Sequence, residues 1–147
     1  MNFDPLKLEN QLCFPLYAAS KEIIRKYKPF LDEIDLTYTQ YIVMLVLWER
    51  DNINVKSLGD KLFLDSGTLT PLLLKLEKKG YIVRKKSSAD ERNVIVMITD
   101  QGKKLRDVAL SIPEKVGKCL SLEKEEALFL DQILYKILSS LSENDTI

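Results

Sequence analysis

Residues 65–99 read DSGTLTPLLLKLEKKGYIVRKKSSADERNVIVMIT and carry the densest structural information in the chain. Asp65 and Ser66 are good helix N-cap residues, and Gly80 is a good helix stop. Between them Leu69, Leu72, Leu73 and Leu76 recur at helical spacing, while Thr68, Thr70 and Lys75 share the opposite face. After Gly80 the period changes. Tyr81-Ile82-Val83 and Val94-Ile95-Val96-Met97-Ile98 are aromatic or β-branched runs that predict two strands. The joining segment, KKSSADERN, is too polar to pack. A capped helix followed by a basic-tipped hairpin has the shape of a DNA reader with a wing. Lys75, Lys78, Lys79, Arg84, Lys85, Lys86 and Arg92 crowd this stretch against Asp65, Glu77, Asp90 and Glu91.

Upstream, Asn54 can cap a short helix from Val55 to Phe63, with Leu58 and Leu62 inward and Lys56 and Lys61 outward. Two short helices joined so tightly predict a helix-turn-helix. Thr37 and Gln40 have capping-box spacing. The helix behind them, Tyr41 to Trp48, is apolar nearly all round and reads as a buried central strut. A first helix is expected from Leu6 to Tyr27, with Leu12, Leu16, Ala19, Ile23 and Ile24 as its stripe. Pro15 either starts or kinks it, and Pro29 marks its end.

Downstream, Thr99 caps a helix from Asp100 to about Ser111, and Pro113 bends or restarts it. Ser121 is expected to cap a last helix striped by Ala127, Leu130, Leu134, Ile137, Leu138 and Leu141. A monomer could use that stripe to close its own core, but so regular a stripe near a chain end more often seals an interface between chains. The tail SENDTI reads as frayed. The expected fold is mainly α with a small β wing: one chain (1–147) with a winged helix-turn-helix at 37–99. Dimerisation helices are expected at 5–30 and 100–142.

The chain has 22 basic and 22 acidic residues. Zero net charge argues against blanket attraction to nucleic acid but leaves room for a local patch. The acids gather elsewhere, at Glu123, Glu125, Glu126 and Asp131. With no apolar run of about 18 residues and no signal-peptide core, a cytoplasmic protein without membrane contact is expected. Cys13 and Cys119 are the only cysteines, and histidine is absent. No metal site of the usual Cys/His spacing can be built, no cofactor is expected, and His-dependent nucleophilic chemistry falls away. A structural disulfide would be unusual in the cytosol, so the thiols are either inert or reactive.

Asp90-Glu91-Arg92-Asn93 followed by Ile98-Thr99, together with LDSGTLTPLLLKLEKKGYI, resembles the MarR family of winged-helix regulators. ENQLCFPLYAASKE and LTYTQY are similar to the OhrR subgroup, which senses organic hydroperoxides through an N-terminal cysteine. The resemblance runs from Leu8 to about Leu141. It implies a homodimer with interlocking N- and C-terminal helices and a reactive thiol at Cys13. It also implies a thiol pocket lined by Tyr17 and by the partner subunit's Tyr27 and Tyr38. Pro15 departs from the leucine-like residue of the subgroup. Cys119 is absent from one-cysteine members; other members place a resolving cysteine in that region of the partner chain.

Attack on a peroxide oxygen requires thiolate, and a free cysteine has a pKa of about 8.5. Phenol hydrogen bonds or a helix N-terminus would stabilise the anion, and Tyr17, four residues on, shares a helical face with Cys13. The sulfenic acid formed can condense with a second thiol. Equally, Cys13 and Cys119 are small apolar residues, and the tyrosines are interface packing. On the DNA side, Ser66, Thr68, Thr70 and Lys75 suit a major groove. Arg92, oriented by Asp90, suits a minor groove, and Lys85 and Lys86 suit phosphates. The same charges also fit a solvated surface. The reading is a repressor, not an enzyme, that binds an inverted-repeat operator in double-stranded DNA until an oxidant reaches Cys13. Its rivals are a regulator controlled by a small phenolic ligand, a thiol peroxidase and a dimeric scaffold.

Overall fold

The computed structural model describes residues 4–144. The chain divides into a unit ending at Ile112 and a second beginning at Pro113. In the first unit, a 3-10 turn at Leu8–Asn10 precedes α1 (Cys13–Asp32). The helix therefore starts at Cys13, not Leu6. Pro15 falls in its first turn, where a missing N–H forfeits no helical bond. Pro29 does not end the helix, which continues through it to Asp32. The reason is burial: Leu31 in the last turn is 2% exposed, and Ile34 and Leu36 beyond it are also buried. That anchorage offsets the one backbone bond a proline removes. Asp35, in left-handed conformation at φ 51°, turns the chain toward the next helix.

α2 (Tyr38–Glu49) opens on the expected capping box. Gln40 N–H donates to Thr37 Oγ1 at 3.3 Å, and Thr37 N–H donates to Gln40 Oε1 at 3.1 Å. Tyr41, Val43, Met44, Val46 and Leu47 are buried, so α2 is the central strut. α3 (Val55–Leu62) and α4 (Ser66–Lys78) form the helix-turn-helix. Each is closed at its N-terminus by a side chain: Asn54 Oδ1 accepts from Ser57 N–H at 2.7 Å, and Asp65 Oδ1 from Thr68 N–H at 2.8 Å. Leu58, Leu69, Leu72, Leu73 and Leu76 are buried, and Gly80 (φ 80°) stops the second helix.

The wing is a three-stranded antiparallel sheet ordered β1 (Ile53–Asn54), β3 (Val94–Ile98), β2 (Ile82–Lys86). β1 has only two residues, too few to show an alternation, and the sequence does not announce it. β2 runs further than Tyr81–Val83. Arg84, Lys85 and Lys86 pair with Val96, Ile95 and Val94, so the two lysines belong to a strand and not to the turn.

α5 (Asp100–Ala109) is capped by Thr99, whose Oγ1 accepts from Gly102 N–H at 3.1 Å. A β-carbon at Gly102 would lie 2.3 Å from the carbonyl oxygen of Tyr81, so only glycine fits there. Trp48 Nε1–H donates to the Gly102 carbonyl at 2.9 Å, joining α2 to α5.

α6 (Ile112–Leu120) restarts the helical path, with Pro113 in its first turn. In the second unit, α7 (Lys124–Asn144) is not capped by Ser121, which sits in a left-handed turn at φ 52°. The helix begins three residues later, where the Glu126 carboxylate accepts from Glu123 N–H at 2.9 Å. Leu130, Ile137 and Leu141 of its stripe are exposed. Of the tail expected to fray, Ser142–Asn144 continue α7, and residues 145–147 lie outside the described residues. No helix among the described residues is long and apolar enough to cross a membrane.

Candidate DNA interface and thiol site

The cap at Asp65 fixes where α4 begins, and its buried leucines fix which face turns inward. Ser66, Thr68, Thr70 and Lys75 are consequently all exposed on the other side. The wing places Lys85, Lys86 and Arg92 in solvent as well. Ser66, Thr70 and Arg92 line one cleft of about 470 Å³, together with Asn54, Lys56 and Asn93. Helix hydroxyls and the wing-tip arginine thus face a common groove.

Asp90 acts on the main chain of Arg92 rather than on its guanidinium. Its Oδ1 accepts from Arg92 N–H at 3.0 Å, and its carbonyl accepts from Asn93 N–H at 3.0 Å. Ser87 N–H donates to Asn93 O at 2.7 Å and closes the loop. Asp90 therefore shapes the turn and leaves the arginine side chain free of an ion pair among the described residues.

Two cations of the crowded stretch are paired within the fold, and one of them, Arg84, also lines the cleft. The Arg84 Nε and Nη2 donate to Glu77 Oε2 at 3.1 and 3.0 Å, and its backbone N–H donates to Glu77 Oε1 at 3.1 Å. Lys79 Nζ reaches Asp35 and Gln40. The first pairing bridges a turn and the second spans 39 residues. No local pattern distinguishes such residues from phosphate contacts.

Cys13 is the first residue of α1 and is exposed. Its thiol stands at the positive end of the helix dipole. Tyr17, one turn on, is 62% exposed, and Lys21 Nζ lies 5.5 Å from its ring centre. Tyr27 and Tyr38 meet edge to face at 5.0 Å between ring centres. Tyr41, which the sequence placed only in the core strut, completes the cluster at 5.7 Å from Tyr27 and 6.3 Å from Tyr38. Trp48 extends the row at 6.3 Å from Tyr41.

Burial raises the Tyr27 pKa, and neighbouring Tyr38 adds to the effect; burial alone raises Tyr38. Tyr41 is pushed up to about 12, first by burial and then by the two neighbouring phenols. All three are hydrogen-bond donors at neutral pH.

The structure brings Tyr27 and Tyr38 together but holds them apart from the thiol of their own chain. Cys13 and Tyr27 are fourteen residues apart on one helix, roughly 21 Å along its axis. Cys119, in α6, is exposed, and its Sγ lies 3.5 Å from the Lys115 carbonyl. Among the described residues, no group of His, Cys, Asp and Glu is arranged to hold a metal.

A helix-turn-helix with a hairpin wing, flanked by long helices, defines a winged-helix transcriptional regulator of the MarR type. The family model described as "Transcriptional regulator SarA/Rot" matches residues 25–108, and the chain belongs to this family of regulators, not to an enzyme family. It is 46% identical over 146 residues to the organic hydroperoxide resistance transcriptional regulator of Bacillus subtilis (strain 168), covering 97% of each chain. Among solved structures it is similar to reduced AbfR bound to DNA, at 34% identity and a TM-score of 0.75, with 91% of this chain and 93% of that one covered. Disulfide-formed AbfR is similar at 34% identity and a TM-score of 0.65, covering 89% and 92%.

Proposed function

We propose that this protein is a cytoplasmic homodimeric repressor that releases an inverted-repeat operator when an organic hydroperoxide oxidises Cys13. The observation that carries the reading is the spacing along α1. An exposed thiol opens the helix, and a pair of half-buried phenols lies roughly 21 Å further on. Two α1 helices running antiparallel across a twofold would bring each thiol to Tyr27 and Tyr38 of the partner subunit. Exposed Leu130, Ile137 and Leu141 on α7 give such a dimer apolar surface to cover. The related regulator named for organic hydroperoxide resistance, and the related structures with DNA and with a disulfide, support the same reading.

The chemistry balances without a cofactor. The Cys13 thiolate attacks the terminal oxygen of the hydroperoxide; the O–O bond breaks, sulfenic acid forms, and the departing alkoxide takes a proton to become an alcohol. Protonated phenols stabilise the thiolate and the developing oxyanion by donating hydrogen bonds. Cys119 of the partner subunit then attacks the sulfenic sulfur, giving a disulfide and water.

On the DNA side, Ser66, Thr68, Thr70 and Lys75 enter a major groove, Arg92 an adjacent minor groove, and Lys85 and Lys86 meet phosphates. Operator binding with and without cumene hydroperoxide tests the reading. Wild type is released and Cys13→Ser is not; release of both variants alike would sink it.

A further inference from the structure

We infer that Lys79 is a positioning residue that couples the tyrosine cluster to the recognition helix, and not a contact to DNA. Lys79 caps the C-terminus of α4, its backbone N–H bonding to Lys75 O at 3.1 Å, directly before Gly80. Its ammonium turns away from the exposed face of α4. It reaches the Asp35 carbonyl at 2.5 Å, Asp35 Oδ1 at 3.2 Å and Gln40 Oε1 at 3.2 Å. Two of these contacts are hydrogen bonds, to the Asp35 carbonyl and Gln40 Oε1, and the third is an ion pair with the Asp35 carboxylate. The side chain is only 25% exposed.

The acceptors lie on either side of the α2 cap. Asp35 precedes it, in a left-handed turn. Gln40 follows it, is buried to 3% exposure, and spends its other Oε1 lone pair on Thr37 N–H at 3.1 Å. Tyr38 lies between these acceptors in the chain, and Tyr41 follows Gln40. Their rings pack against Tyr27. A shift of Tyr38 that opens the capping box therefore separates the acceptors of Lys79. Hydrogen bonds weaken steeply with misalignment. The strain then passes to the last turn of α4, whose first two turns carry Ser66, Thr68 and Thr70. The link is a contiguous, charge-assisted one between two rigid elements.

The inference rests on the reading of Tyr27 and Tyr38 as the thiol pocket, and a double-mutant cycle separates the two. Operator affinity of the reduced, full-length protein is measured by fluorescence anisotropy for wild type, Tyr27→Leu, Lys79→Met and the double variant. Lys79→Gln is a second variant should Lys79→Met fold poorly. Each single change weakens binding about tenfold, and the double variant is no weaker than the worse single one. Independent sites would instead multiply to within about twofold.

The dependence of log K on log salt provides a second readout. Lys79→Met keeps the wild-type slope, whereas loss of a phosphate contact lowers it by about 1. Multiplicative effects, unchanged affinity in Lys79→Met, or a reduced slope overturns the inference. A multiplicative cycle in a protein that hydroperoxide does release overturns the coupling alone. A non-additive cycle in a protein that hydroperoxide fails to release supports the coupling and sinks the sensing.

Discussion

Arg84 Nη2 lies 3.0 Å from Glu77 Oε2, and this ion pair fastens the wing to the recognition helix. Two further hydrogen bonds from the same arginine, one from its main chain, make the junction rigid. The angle between α4 and the hairpin decides whether helix and wing can reach adjacent grooves together. That angle is held by two partly buried side chains, one of which, Arg84, also borders the cleft between helix and wing.

Glu77→Gln tests this junction. Charge-assisted hydrogen bonds contribute roughly 1.5–3 kcal/mol each, and partial exposure of both partners reduces the effect. Urea unfolding is expected to show a loss of about 1–2 kcal/mol. Hydrogen exchange in β2 should quicken more than in α2.

The exposed cations should behave differently from Arg84. Arg92→Ala is expected to weaken operator binding about tenfold, consistent with loss of one groove contact. Lys85→Ala and Lys86→Ala should each lower the salt slope by about 1 without changing base preference. Arg84→Lys should leave the slope as it is.

Cys119 is tested by non-reducing electrophoresis after mild oxidation. Wild type should form a covalent dimer that reducing agent dissolves. Cys119→Ser and Cys13→Ser should each remain monomeric bands. A dimer persisting in Cys119→Ser would remove this residue as the resolving thiol.

Tyr41 gives a pH signature. Its folded pKa of about 12 lies above the ordinary value of 10, so the folded state holds the proton more tightly. The stability this contributes is complete below pH 10 and disappears as pH rises through about 12. Tyr41→Phe should flatten the fall in unfolding free energy across that window. Absorbance at 295 nm should show ionisation of Tyr27, Tyr38, Tyr41 and Tyr81 displaced above the ordinary range, since burial raises each of them.

Two glycines make a paired test of packing. Gly102→Ala forces a β-carbon to within 2.3 Å of the Tyr81 carbonyl and 2.8 Å of Ile98 Cγ1. A loss of about 1–3 kcal/mol is expected, with disturbance of the Trp48–Gly102 bond visible in fluorescence of the sole tryptophan. Gly117→Ala meets nothing within 4 Å and should stabilise α6 by roughly 0.5–1 kcal/mol.

Much of this molecule is legible residue by residue. Thr37, Asn54, Asp65 and Thr99 each cap the helix that follows them, because a cap is a contact between near neighbours in the chain. The leucine spacing of α4 marks its inward face, since a helix repeats every 3.6 residues wherever it is placed. Ser121 and Pro29 show where that local logic gives out. Burial of Leu31 carries α1 past a proline, and a left-handed turn puts Ser121 off the helix it was expected to cap.

The sequence alone thus determined the order of the main helices and of the two hairpin strands, the hydroxyl-bearing face of α4, the basic wing and the two candidate thiols. Tertiary structure decided which charges are free. Lys79 and Arg84 look like Lys85 and Arg92 in the chain, yet the first two are ion-paired within the fold and the other two are exposed. It also gathered Tyr27, Tyr38, Tyr41 and Trp48 into one row, and joined Trp48 to Gly102 across 54 residues. Caps and periodicity arise from neighbouring residues, whereas ion pairing and ring contact depend on distances that exist only after the chain has folded back on itself.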